Sequence, residues 1–405
     1  MKTRRETFRH FWAAALLLAA LFAAGCSGPG RQDAAAKSPG TDARATGGKA
    51  TIRYAKGLVI EYHDGYKVLR VLSPWRDART QFTFVLAPRG AKVPPLTGNE
   101  IVVRTPVRRF VVTSTVYVPQ VAMLGLEDTL VAVAHGQMIS TPSVAKRFAD
   151  GKISEISNGS RGMMATLNME RLLSLSPDLV MLYGTGNPAY DFHEQLHAAG
   201  IPFAINGEYM ESSPLGEAEW IKFVAAFFDK DAEAERLFAG IASRYEAEAA
   251  RAKSAATRPT VFSAVDYPGV WYMPGGKSYR ARFFQDAGAR YLWDDDQTEG
   301  SMPLTMEAVI ARAKDADFWV DPGSVRSLAQ LAGLDDRYRT LRAFKTGQVY
   351  NNDVRMNPGG GNDFWEGGMS NPDVVLADLV SIFHPELKPG YTKVYYRKLP
   401  ERTAP

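Results

Sequence analysis

The chain has 405 residues, 45% of them hydrophobic and 23% charged, with a net charge of +4; that length supports a large core and more than one domain. No dense Lys/Arg face appears, and part of the excess sits in Lys2, Arg4, Arg5 and Arg9, so nucleic acid is not an expected partner. The single cysteine, Cys26, excludes an internal disulfide framework, a cysteine zinc site and a Cys-ligated iron–sulfur cluster.

The basic start leads into the apolar run Phe11–Ala24, shorter than the roughly 20 residues of a membrane span. A basic n-region, a short apolar h-region and small residues before a cut site describe a secretory signal. Ala23-Ala24-Gly25-Cys26 resembles a bacterial lipobox, which makes Cys26 the expected lipidation site and residue one of the mature chain. Residues 27–50 are rich in Gly, Ala, Ser, Pro and Asp without hydrophobic periodicity, and read as a flexible tether. The expectation is a globular body held at the surface of a bacterial membrane, facing the periplasm or exterior.

"LVIEYHDGYKVLRVL" (Leu58–Leu72) alternates apolar and polar residues around Asp64-Gly65, which predicts a hairpin. Gln81–Ala87 and Glu100–Pro106 add strands. From Arg109 onward short apolar runs alternate with amphipathic ones, the mark of βα units and a parallel sheet. Leu237, Phe238, Ile241 and Tyr245 fall at helical spacing and predict one long helix from about Ala232 to Ala252. The βα rhythm then restarts, and it ends in a helix with Pro372 in its first turn.

The fold class is therefore α/β: two βα lobes with parallel sheets joined by one long helix, plus a β-rich N-terminal extension. The expected organisation is signal peptide 1–26, tether 27–50, extension 51–107, first lobe 108–230, linking helix 231–257, second lobe 258–387 and tail 388–405.

One pattern occurs twice. "LNMERLLSLSPDLVMLYG" (Leu167–Gly184) and "LTMEAVIARAKDADFWVDP" (Leu304–Pro322) each open with a capping residue, Asn168 or Thr305, then Met and Glu. Glu170 and Glu307 thus stand in the first turn of equivalent helices. A first-turn carboxylate also complements the helix dipole, by about 0.3–1 kcal/mol, which alone explains either one. The lipobox, the two lobes, the long helix and the paired motif together resemble the class III solute-binding proteins of ABC importers, the iron-siderophore, haem and vitamin B12 binders. The resemblance covers about Arg109–Leu387, with the first copy of the motif its most specific segment. It implies that Glu170 and Glu307 dock on arginines of a two-subunit permease served by an ATPase. Such charge pairs chiefly set register and association rate.

Ligand in a two-lobed α/β binder sits between the lobes, at loops beyond the carboxyl ends of the strands. In the first lobe those loops offer Tyr117, His135, Gln137 and Asn187. In the second they offer Trp271, Tyr272, Trp293, Arg355, Asn357, Asn362 and Trp365. Bulky aromatics with a few polar groups suit a large, partly apolar ligand rich in heteroatoms. Arg355 suits a carboxylate or the negative charge of a ferric chelate. Gly359–Gly361 allow close backbone approach to a ligand or positive φ. The expected ligand is a ferric siderophore, with a corrinoid second and haem third; no protein-bound cofactor or metal is expected.

His193-Glu194-Gln195-Leu196-His197 spells H-E-x-x-H. As a zinc hydrolase motif it needs a third ligand and a place in a cleft. On this helix Phe192, Leu196 and Ala199 take the buried side, which favours an accidental match on a solvated face. The chain is expected not to be an enzyme, and a zinc hydrolase is the reading from another class.

Overall fold

The computed structural model describes residues 48–158, 166–267 and 269–402. The signal segment, Cys26 and the tether up to residue 47 lie outside the described residues.

The extension is a four-stranded sheet. Strands β1 (Leu58–His63) and β2 (Tyr66–Val71) form the expected antiparallel hairpin, with Gly65 at φ +78° in its turn. Strand β3 (Phe82–Pro88) runs antiparallel to β2, and β4 (Ile101–Thr105) pairs parallel to β3. Strand alternation puts Leu69, Val71, Phe84, Leu86 and Val103 on the buried face. There Phe84 packs edge-on against Phe223 and Phe227 of the first lobe, 6.0 and 6.2 Å between ring centroids. The extension therefore shares the first lobe's hydrophobic core.

The first lobe's parallel sheet runs Phe203–Ile205, Leu179–Leu182, Phe110–Val112, Leu130–Val133, Ser154–Glu155. Its first strand in sequence lies inside the sheet, so strand order reverses beside Phe110–Val112. The second lobe's sheet runs Arg290–Tyr291, Thr260–Ser263, Phe318–Val320, Val349–Asn351, Arg397–Lys398. Its reversal lies between Thr260–Ser263 and Phe318–Val320. Crevices at such reversals are where α/β sheets take ligands.

The linking helix spans Asp231–Lys253, about 35 Å at 1.5 Å per residue. Ala234, Phe238, Ile241, Ala242 and Tyr245 form its buried stripe. The stripe packs on helices Ile221–Ala226 and Pro372–Phe383. Asp231 and Glu233 stand in its first turn and Arg251 and Lys253 in its last, each complementing the helix dipole. The C-terminal tail, described as far as residue 402, packs against the second lobe. Strand Arg397–Lys398 pairs antiparallel to Val349–Asn351, and the N–H groups of Val394, Tyr395 and Tyr396 donate to the Asp378 carboxylate at 2.7–3.0 Å. A run short of apolar periodicity had concealed an edge strand held by one buried carboxylate.

Candidate functional site

The carboxyl ends of both sheets face one another across the seam between the lobes, and several residues there adopt positive φ without being glycine. His135 ends Leu130–Val133 at φ +59°, Ala264 follows Thr260–Ser263 at +69°, and Asp321 follows Phe318–Val320 at +56°. Backbone held in that region costs free energy and collects at ligand sites.

Some of the polar atoms buried without a partner belong to segments that meet at this seam. Among the described residues they include the hydroxyls of Tyr117 and Tyr279, Glu208 Oε2, Arg280 Nη1, Asp321 Oδ1, Ser370 Oγ and Trp365 Nε1. A buried polar atom without a hydrogen bond costs about 1–3 kcal/mol, so a cluster of them marks a surface built to meet something else. Helix Pro214–Ala218, which carries Glu217, packs across the seam on helix Tyr279–Asp286, which carries Arg280. Arg280 bonds Asp321 and donates to the Tyr396 hydroxyl at 2.9 Å. Burial pushes the Glu208 carboxyl up to about 8. Burial, with the charge of Glu208 added, pushes Glu217 well above the usual carboxylate range, and burial also raises Tyr117. Two carboxyls that resist ionisation lie together, and one of them, Glu217, feels the Arg280 guanidinium. Such a lining holds hydrogen-bonding groups and leaves no strong net charge.

The second lobe closes on the first through its glycine-rich segment. The Glu366 carboxylate accepts from the N–H groups of Ser140 and Thr141 and from the Thr141 hydroxyl, at 2.6–2.8 Å. Asn357 Nδ2 donates to the Ile139 carbonyl at 2.9 Å. A Cβ on Gly359 or Gly361 would strike the Gln137 or Met138 carbonyl. These glycines bring backbone against the other lobe's backbone; the close approach expected for a ligand is made to the protein itself.

The expected site residues divide accordingly. Tyr117 is fully buried at the seam with its hydroxyl unpaired, and Trp365 is half-buried there with its indole N–H unpaired. His135 is half-buried, its imidazole held below its usual pKa by burial, and Gln137 beside it is exposed. Tyr272 is half-buried on a strand paired to Pro303. Trp293 is 5% exposed under the Arg312 guanidinium. Arg355 is exposed and pairs with Asp363 at 3.0 Å. Asn357 ties the lobes together. Asn362 caps its own turn, accepting from Phe364 N–H, and donates to Asn352. Asn187 is exposed and accepts from Ala189 N–H. Trp271 is a correction. It is fully buried among Phe262, Trp319 and Tyr338, and its N–H donates to the Ser263 carbonyl. Hydrophobic burial and a satisfied donor place it in the second lobe's core.

Glu208, Glu217, Tyr279, Arg280 and Asp321 were missed. Asp321 directly follows strand Phe318–Val320 and Glu208 comes three residues after strand Phe203–Ile205, so the rule of reading loops beyond strand ends was enough to find them. Glu217 and Arg280 sit on helices, and nothing in their local sequence marks them as buried.

A family profile described as periplasmic binding protein matches residues 111–355. The chain belongs to that family. It is the class III type that the repeated motif and the lobes resemble, a solute-binding protein and not an enzyme. Among curated relatives, an uncharacterised lipoprotein of Methanocaldococcus jannaschii is 26% identical over 375 residues, spanning 86% of this chain and 85% of its own. Among solved structures, a periplasmic haem-binding protein from Pseudomonas aeruginosa superposes with a TM-score of 0.55 at 22% identity, over 74% of this chain and 100% of that one. A possible iron-binding periplasmic solute-binding protein from Staphylococcus epidermidis gives 0.54 at 16%, over 69% and 100%. At those identities the likeness carries the fold. The hydrolase reading falls with the family assignment. The helix differs from expectation in its buried side: Leu196 is buried but Ala199 is exposed, and the His193 ring packs between Trp75 and Phe82, with centroids 5.6 Å from each, while His197 faces solvent. Among the described residues no cluster of three or more His, Cys, Asp or Glu is placed to hold a metal, and no helix is long and apolar enough to cross a membrane.

Proposed function

We propose that this periplasmic binding protein is a lipid-anchored receptor, held through Cys26, that takes a ferric siderophore or similar metal chelate between its lobes and hands it to an ABC importer. A corrinoid or haem is the alternative ligand of the same class. The observation that carries the reading is the row of unpartnered buried polar atoms facing the seam at the carboxyl ends of both sheets. Partial opening exposes them to a ligand rich in oxygen and nitrogen, and closure then desolvates both sides. The Pseudomonas neighbour is a haem-binding protein and the Staphylococcus one a possible iron-binding protein, which supports the iron chemistry.

The permease docks on Glu170 and Glu307. Both glutamates are exposed in the first turns of their helices. Each has an exposed leucine near it. Leu173 is 50% exposed, three residues after Glu170 on the same helix face. Leu334 is 59% exposed and lies just before Arg337, the partner of Glu307. An acid beside an uncovered leucine on each lobe is a fair anchor for a two-subunit partner.

Tryptophan fluorescence of the body tests the ligand. It is titrated with ferric siderophores, cyanocobalamin and haemin, with correction for ligand absorbance. Saturable quenching by one compound far ahead of the rest is expected, dominated by Trp365. No response to any of the three removes the chelate assignment.

A further inference from the structure

The extension reaches the ligand end of the first lobe. Its β2–β3 loop lies over the carboxyl ends of Leu179–Leu182 and Phe203–Ile205. A Cβ on Gly184 or Gly186 would strike the Trp75 ring, and one on Gly207 would crowd the Ser73 carbonyl at 3.1 Å. Tyr209 donates to the Gly184 carbonyl at 2.7 Å directly beneath Pro74. From this seat Arg76 crosses to the second lobe, where its guanidinium lies against Gly300. Lys56, also from the extension, reaches Ser212 at 3.3 Å.

Between them is a cavity of about 300 Å³. Lys56 and Ser212 line one side, and Gly276, Lys277, Arg282 and Glu299 line the other. Arg282 is already paired with Asp286 at 2.8 Å. Lys56 and Lys277 line the cavity and Glu299 is the one acid in its lining, while Arg76 stands beside it against Gly300, next to Glu299; none of the three cations makes an ion pair among the described residues. Two unneutralised cations against one carboxylate in the lining, with Arg76 beside them, give a surplus of positive charge where extension and both lobes converge. The volume is at the low end for ligand pockets, enough for a charged arm and too small for a whole chelate.

We propose that the extension is a fixed third wall of the ligand cleft, and that Lys56 and Arg76 join Lys277 to hold an anionic carboxylate or phosphate arm of the transported ligand. This rests on the inter-lobe receptor reading. It gives the extension a role outside the family match, which begins at residue 111. The Methanocaldococcus lipoprotein aligns over 86% of this chain, a share that cannot leave the extension out.

Calorimetric titration of the mature chain with citrate and, separately, pyrophosphate tests it. Saturable binding of one is expected, and which one identifies the arm as carboxylate or phosphate. Arg76→Ala and Lys56→Ala are each expected to weaken it by about tenfold, the worth of one charge-assisted hydrogen bond. Arg76→Lys recovers part of the loss, and Glu299→Gln tightens binding. Both cations are exposed, so melting temperatures should not move. Absence of binding to the wild-type chain at millimolar anion overturns the proposal, as does equal binding by the alanine variants. A chelate that binds wild type and variants alike overturns the third wall and leaves the receptor standing. Citrate binding lost in the variants, with no chelate response, upholds the wall and removes the chelate.

Discussion

Replacing Glu366 probes the closure of the lobes. Its side chain is 1% exposed and accepts three hydrogen bonds from the first lobe. The three donors favour the charged carboxylate and burial opposes it. Burial wins, and the carboxyl rises from an ordinary 4.5 to about 7. The group therefore holds its proton more tightly folded than unfolded. Stability tied to the neutral form is complete below pH 4.5 and is lost as pH rises through 7. A shift of that size corresponds to about 3 kcal/mol. Glu366→Gln keeps one acceptor and cannot ionise, so it lacks this dependence. Urea unfolding followed by fluorescence, in buffers from about pH 4.5 to 7.5, should show wild type losing about 3 kcal/mol relative to the glutamine variant. Glu366→Ala strands the Ser140 and Thr141 amides, at about 1–3 kcal/mol each across the range. Parallel pH profiles for wild type and glutamine variant would refute the dominance of burial. An alanine variant as stable as wild type would refute the clasp itself.

Trp271→Ala should destabilise the chain by about 3–5 kcal/mol through the cavity it leaves, with ligand affinity unchanged below the melting temperature. A variant that melts normally and loses ligand would return Trp271 to the site. Glu170→Ala combined with Glu307→Ala should abolish uptake in cells while fluorescence titration gives wild-type affinity; lost affinity would refute the docking role. Cys26→Ser should move the protein from the membrane fraction to the soluble one, and retention at the membrane would remove the lipid anchor.

The elements were legible because each kind of signal was local. Asp64-Gly65 between alternating runs gave the hairpin, and the stripe from Ala234 to Tyr245 gave the linking helix. Pro372 marked the first turn of the last long helix. What failed to appear locally depended on contacts far apart in sequence. Trp271 looked like a cleft aromatic because it follows a strand, yet a short antiparallel sheet turns it back among Phe262, Trp319 and Tyr338. Gly359 and Gly361 were read for backbone approach, and approach is what they provide, but to Gln137 and Met138 more than 200 residues earlier. Glu217 carries no motif. The burial of a carboxyl on a helix is a property of everything packed around it, and only the assembled lobes reveal it.

The repeated motif does not leave its two glutamates in equivalent surroundings. Glu307 is already engaged by Arg337 at 2.6 Å, and Arg337 is also held by Asp335 at 2.7 Å. The Glu307 carboxyl is kept below the usual range, first by its own backbone N–H and then by this arginine. Glu170 makes no ion pair among the described residues. On the proposed docking, a permease arginine would meet Glu170 directly and would have to displace Arg337 to reach Glu307. An exposed pair of this kind is weak and readily exchanged, so Arg337 acts as a placeholder. Arg337→Ala should strengthen association with permease-containing vesicles, most visibly at low salt, where exposed charges are least screened. Weaker association would mean that Arg337 itself contacts the partner, and the two lobes would then present different chemistry to it.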